Sequence, residues 1–248
     1  MIKIGSLVTR TSHNNDIIFR VVDKKDDILI LKGEVIRLCA DSKEDDLVEY
    51  DVRDKVTYTL PYLKKDKELM KGKILHIDGD EYYLKKAMQA YKQYEIEAYG
   101  YFVNERDLPS IIIELIKRHN PDIVVITGHD SLKNKDNIYD VNSYLNSVYF
   151  IETCKVIRKE YPSKDQLIVV AGACQSYFEE LIKEGANFAS SPLRKNIHLF
   201  DPIIIASIVA YAPSSMYVDV KKLIEKTISS SIGLLRFSTL KFPSLAIP

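Results

Sequence analysis

The 248-residue sequence is poor in several features, and each shortage excludes a class of protein. Cysteine occurs only three times, as Cys39, Cys154 and Cys174, an odd number without metal-ligand spacing. That argues against a disulfide framework and a zinc site. With nine glycines and nine prolines, the chain is neither collagen-like nor low-complexity. Charge of one sign is not in excess: 35 Lys and Arg balance 35 Asp and Glu. No global positive field therefore holds nucleic acid or an anionic membrane. The one local basic cluster, Lys64 to Lys73, suits a solvated linker. Long apolar runs are missing too, since a stretch such as Ile203 to Ala212 falls short of the roughly 20 residues that span a bilayer. Met1 to Ile30 mixes charge, Asn and Gly where a secretory signal would be apolar, so the expectation is a cytoplasmic protein. Neither G-x-x-x-x-G-K-[ST] nor G-x-G-x-x-G occurs, which leaves nucleotide binding without motif support.

The sequence contains two patterns in succession. From Lys3 to about Leu60, short β-branched runs alternate with polar turns, including His13-Asn-Asn-Asp and Asp23 to Asp27. This spacing predicts a small SH3-like β-barrel over 1–60. A charged stretch containing Pro61 predicts a linker over 61–72. From Lys73 onward, continuously apolar strands alternate with amphipathic helices, which predicts an α/β domain over 73–248 with a doubly wound, mainly parallel sheet. The expected strands are 73–78, 98–103, 122–127, 167–171 and 187–190; the expected helices are 81–94, 108–119, 141–160 and one starting near Ser176 and closed by Gly185. The stretch after Ser214 carries no clear pattern.

In such sheets ligands bind where the strands end at their carboxyl side. Two of those ends carry the groups of a thiol hydrolase, His129 and Cys174, 45 residues apart. A free thiol is only a few per cent ionised at neutral pH. Here the expected help is the amino terminus of the helix near Ser176 and His129 as proton carrier. Gly172 and Ala173 keep the turn small, and Gly128 is expected to allow an unusual backbone. The oxyanion donors expected are the Cys174 N–H and an N–H from the Gly128-His129-Asp130 loop. Cys154 and His119 read as structural. A phosphatase loop would need Arg where Glu180 stands. A second arrangement is an amidotransferase-like elbow, Gly172-Ala-Cys-Gln-Ser176, partnered by His198 and Asp201; Ser176 and Phe200 depart from that pattern.

An Ala-Cys pair after a buried strand with a histidine strand end upstream is similar to the caspase, gingipain and clostripain clan of cysteine proteases. Lys73-Ile-Leu-His-Ile-Asp-Gly-Asp80, Pro121 through Asp130, Ala171 through Ser176 and Glu184 through Pro192 resemble the YabG family of sporulation-specific proteases of spore-forming bacteria, over nearly the whole chain. The resemblance implies a caspase-like fold, a Cys174/His129 dyad, no metal or cofactor, and cleavage after Arg. It implies spore coat and cortex-associated proteins as partners, with no nucleic acid and no membrane, in the cytoplasm of the sporulating cell beside the developing coat. An arginine pocket needs a carboxylate. Asp78 and Asp80 are the candidates, with Glu105 and Asp130 as weaker ones; Ser190, Asn187 and the Ser190 to Pro192 segment are candidates for lining the cleft. The clan has Gly after its His, whereas here Gly128 precedes His129. A non-enzymatic coat-assembly scaffold is the alternative to an enzyme.

Overall fold

A computed structural model describes residues 1–50, 71–212 and 234–235. The chain divides into two compact units, Met1–Thr59 and Leu60–Pro248. Most of the expected linker and the stretch after Ser214, apart from residues 234–235, lie outside the described residues.

The first unit is an antiparallel sheet of β1 (Leu7–Arg10), β2 (Phe19–Lys25), β3 (Ile28–Gly33), β4 (Cys39–Lys43) and β5 (Leu47–Glu49), in the order β4-β3-β2-β1-β5. Alternation along β3 buries Leu29 and Leu31 against Val8, Phe19, Val21 and Leu47. After β3 the chain bends at Glu34 and Val35, so closely that a Cβ on Gly33 would meet the Ile36 carbonyl oxygen at 2.2 Å.

The second unit carries β6 (Ile74–Asp78), α1 (Glu81–Gln93), β7 (Ala98–Phe102), α2 (Leu108–His119), β8 (Ile123–Thr127), α3 (Ser147–Glu160), β9 (Ile168–Ala171), α4 (Phe178–Lys183), β10 (Phe188–Ser190), α5 (Asp201–Ala210) and β11 (Leu234–Leu235). The sheet order is β11-β10-β9-β8-β6-β7, parallel except at β10-β11. The first five strands thus stand in the order 2-1-3-4-5, whose switch point falls between β6 and β8. Ile74, Val125 and Val170 face α1 and α5; Leu75, Ile77, Val124, Ile126 and Val169 face α2, α3 and α4. Burying each such side chain contributes about 1.5–3 kcal/mol, and burial on both faces explains the unbroken apolar runs.

Two expectations are corrected. The helix expected over 141–160 is a 3-10 turn at Val141–Ser143, an intervening break, and then α3. The helix near Ser176 begins at Phe178, because the Ser176 hydroxyl accepts the Ala173 N–H at 2.8 Å and holds a turn there. Cys174 is therefore not on a helix amino terminus.

Candidate active site

The site is assembled at the switch point. Asp80 caps α1: its Oδ1 accepts the Tyr82 N–H at 2.9 Å. Its Oδ2 lies 2.7 Å from Nε2 of His129, which follows β8 two strands' width from the β7 edge of the sheet. The imidazole also meets the Tyr83 ring edge-on at 5.9 Å. Asp80 is 5% exposed and the His129 side chain 32%, so the carboxylate is sheltered while the ring reaches the surface.

A buried polar line fixes Asp80 in turn. Asp78 Oδ1 accepts the Asp80 N–H at 2.8 Å, and Oδ2 accepts the Thr127 hydroxyl at 2.7 Å. Because Thr127 donates to Asp78, it accepts from His76 Nε2 at 2.8 Å, and His76 Nδ1 accepts the Tyr91 hydroxyl at 2.9 Å. Burial, with the Asp78 charge nearby, pushes the Tyr91 phenol well above its usual range, so Tyr91 keeps the proton it donates.

Glu105 supports the same loop from the other side. Its Oε1 accepts the His129 N–H at 2.7 Å, and a Cβ on Gly79 or Gly128 would lie 2.1 or 2.4 Å from that oxygen. Gly128 is thus required for close approach, not for a left-handed backbone; its φ is not positive. The His129 N–H is already committed to Glu105, so of the N–H groups in the 128–130 loop this one does not face an oxyanion.

Cys174 follows β9, which pairs directly with β8 at Ile126 and Ala171. Its turn is bracketed by two left-handed residues, Gly172 (φ 109°) and Gln175 (φ 58°), which bend the chain sharply at the thiol. Cys174 is 5% exposed, and its Sγ accepts the Ile197 N–H at 3.4 Å, a contact that stabilises negative charge on sulfur. Asp130 ties the histidine and cysteine loops together. It accepts N–H groups of Ser131 and Asn146 at 2.9 and 2.8 Å and the Ser147 hydroxyl, and Ser147 Oγ accepts the Tyr177 N–H at 2.8 Å. Burial raises the Asp130 carboxyl, opposed by these bonds.

Several expected pocket roles do not fit this geometry. Asp78 is 0% exposed with both oxygens occupied, and Asp80 is spent on the α1 cap and His129. Asp130 is buried in its own network. Ser190, 0% exposed, packs on Gly172 and donates to its carbonyl at 3.3 Å. Asn187, also 0% exposed, ties Arg158 to the Val169 N–H. His198 accepts the Phe200 N–H on Nδ1, and burial, with Lys86 nearby, lowers it to about 4, a poor base at neutral pH. Cys154, pushed up to about 12 by burial, is inert, and His119 stacks on Tyr99 at 4.1 Å.

The doubly wound domain thus sets His129, held by Asp80, and Cys174 just after adjacent strands, and comparison puts the chain among peptidases. The YabG peptidase U57 family model matches residues 3–71 and 62–239, and the chain belongs to this family. It is 38% identical over 269 aligned positions, covering 94% of this chain and 93% of the relative, to the sporulation-specific protease YabG of Bacillus subtilis (strain 168). Among solved structures, the RcsB response regulator of Salmonella typhimurium aligns with a TM-score of 0.32 at 13% identity, over 48% of this chain and 51% of that one. Among the described residues no helix is long and apolar enough to cross a membrane.

Proposed function

We propose that the chain is a sporulation-stage cysteine endopeptidase in which Cys174 is the nucleophile, His129 the proton carrier and Asp80 the residue that positions His129. The 2.7 Å contact between Asp80 Oδ2 and His129 Nε2, on the strand next to the one that ends at Cys174, carries this reading. With Nε2–H donated to Asp80, proton exchange with the thiol falls to Nδ1. The thiolate attacks the scissile carbonyl carbon; the C–N bond breaks as His129 Nδ1–H protonates the leaving amine, giving a thioester. Water, deprotonated by Nδ1, then attacks the thioester carbon, releasing the carboxylic acid and returning the proton to sulfur. The Cys174 N–H is one oxyanion donor. We assign the other to Asp130 N–H, the amide after the histidine, which donates to no protein group among the described residues.

The substrates in this reading are spore coat and cortex-associated proteins, cut after Arg. The name of the B. subtilis relative supports a sporulation-specific protease, and the substrates and the Arg preference are carried by the family resemblance alone. The mixed sheet with its histidine and cysteine at neighbouring strand ends supports a caspase-like fold, and the five-stranded order β4-β3-β2-β1-β5 supports an SH3-like first unit. The test is covalent trapping of the full chain by a peptidyl acyloxymethyl ketone ending in Arg, with the adduct mapped by mass spectrometry. The expected adduct is on Cys174 alone and is lost in His129→Ala. Labelling of Cys39 in its place would refute the assignment.

A further inference from the structure

Residues 191–197 form a loop against the Cys174-Gln175 turn. Ile197 N–H donates to Cys174 Sγ at 3.4 Å, and the Lys195 carbonyl accepts the Gln175 N–H at 3.3 Å and the Ser191 hydroxyl at 2.6 Å. This loop is pinned by one side chain. The Arg194 guanidinium, 8% exposed, donates Nε to the Tyr144 hydroxyl at 2.7 Å, Nη1 to the Pro192 carbonyl at 3.1 Å and Nη2 to Glu179. Its Cζ lies 5.8 and 5.7 Å from the centroids of the Tyr144 and Tyr177 rings.

The cradle is built without help from the loop. The two rings stack at 5.2 Å with an interplanar angle of 5°, and their hydroxyls donate to the Ile138 and Tyr139 carbonyls at 2.6 and 2.8 Å. The Tyr144 hydroxyl is thereby left to accept, as it does from Arg194 Nε, and with the two ring faces and the Glu179 carboxylate it makes a recognition set for a guanidinium. Tyr177 stands three residues after Cys174, and Glu179 five, so two of the three cradle residues belong to the nucleophile's own segment. The loop that fills it is held in a strained form: Ser191 (φ 63°) and Arg194 (φ 54°) both adopt the left-handed backbone that non-glycine residues avoid.

We propose that Glu179 with the Tyr144 and Tyr177 rings is an arginine-binding cradle that Arg194 occupies in the resting chain, making residues 191–197 a strap over Cys174 that a substrate arginine displaces. The proposal deepens the peptidase reading and rests on it. It also moves the pocket carboxylate from Asp78 and Asp80 to a residue five positions beyond the nucleophile.

The experiment compares the full-length chain with its Arg194→Ala and Glu179→Gln variants by two readouts. One is the rate of Cys174 alkylation by iodoacetamide, followed by mass spectrometry. The other is steady-state cleavage of a matched peptide pair with Arg or its neutral isostere citrulline before the scissile bond. Removing an internal competitor lowers the apparent KM by the occupied fraction, so Arg194→Ala is expected to label about fivefold faster or more and to cut the Arg peptide with KM reduced about as much. Glu179→Gln is expected to bring the Arg-to-citrulline ratio of kcat/KM close to unity. Equal labelling and KM in Arg194→Ala, or an unchanged ratio in Glu179→Gln, would overturn the proposal. Arg194→Gln, which keeps the stem and a donor for Tyr144, carries the same comparison should the alanine variant unfold. A wild-type chain that cuts neither peptide would sink the peptidase reading, while the labelling rates still decide the strap.

Discussion

Replacing Asp80 by Asn changes one proton-accepting oxygen and almost nothing else. Asn is as good a helix cap as Asp, so Oδ1 still accepts the Tyr82 N–H and stability is expected to move by less than about 1 kcal/mol. At the other end an amide NH2 now faces His129 Nε2, where Oδ2 stood at 2.7 Å. The imidazole must then accept on Nε2 and carry its proton on Nδ1, so it cannot take the thiol proton. Losing a hydrogen bond to a charged partner alone costs about 1.5–3 kcal/mol, or about 10- to 150-fold. Locking the wrong tautomer extends the expected fall in kcat to between about 10² and 10⁴. The assay is steady-state cleavage of Arg and non-Arg peptides with thermal unfolding of the same preparations. A loss in kcat for every peptide at unchanged Tm is expected. If Asp80 lined an arginine pocket, KM would rise for the Arg peptide alone; that pattern, or activity within about threefold of wild type, would refute the positioning role.

Other perturbations test the supporting contacts. Gly128→Ala places a methyl 2.4 Å from Glu105 Oε1 and is expected to free the His129 N–H, lowering kcat at least about tenfold with a stability cost of about 1–3 kcal/mol by thermal unfolding. Alkylation at pH 8 followed by peptide mapping is expected to modify exposed Cys39 and leave Cys154, buried and pushed up to about 12, untouched; an adduct on Cys154 in folded protein would contradict its packing. His198 is held at about 4, below its unfolded value of 6.5. The unfolded chain therefore binds the extra proton, and stability falls as pH drops from 6.5 toward 4, by about 3 kcal/mol over the window. His198→Gln is expected to flatten this part of a denaturant-midpoint profile; an unchanged slope would assign the acid sensitivity elsewhere.

What was legible in the sequence followed from burial. The runs Ile74–Asp78, Ile123–Thr127 and Ile168–Ala171 read as parallel strands because both faces of the sheet are covered, and His129 and Cys174 followed as strand-end residues. α5 escaped for the same physical reason turned around: nine of its ten residues are buried, so it has no polar face and no helical period. The Asp80 to His129 contact spans 49 residues and becomes visible only when β6 and β8 pair. Asp78 and Asp80 read as candidate pocket carboxylates, because nothing local tells a pocket carboxylate from one consumed by a cap and an imidazole. Ser176 misled as a helix start because its hydroxyl caps the Ala173 amide within a turn instead. The Arg194 cradle joins residues 50 positions apart, from Tyr144 to Arg194, and no periodicity marks it.

The most direct test is cleavage of a fluorogenic Arg peptide by purified full-length chain beside its Cys174→Ala variant, with thermal unfolding to show that both are folded. The expected result is turnover by the wild type, none by the variant, and Tm values that agree. Turnover retained by a folded Cys174→Ala variant would contradict the cysteine mechanism and, with it, the roles given to His129 and Asp80.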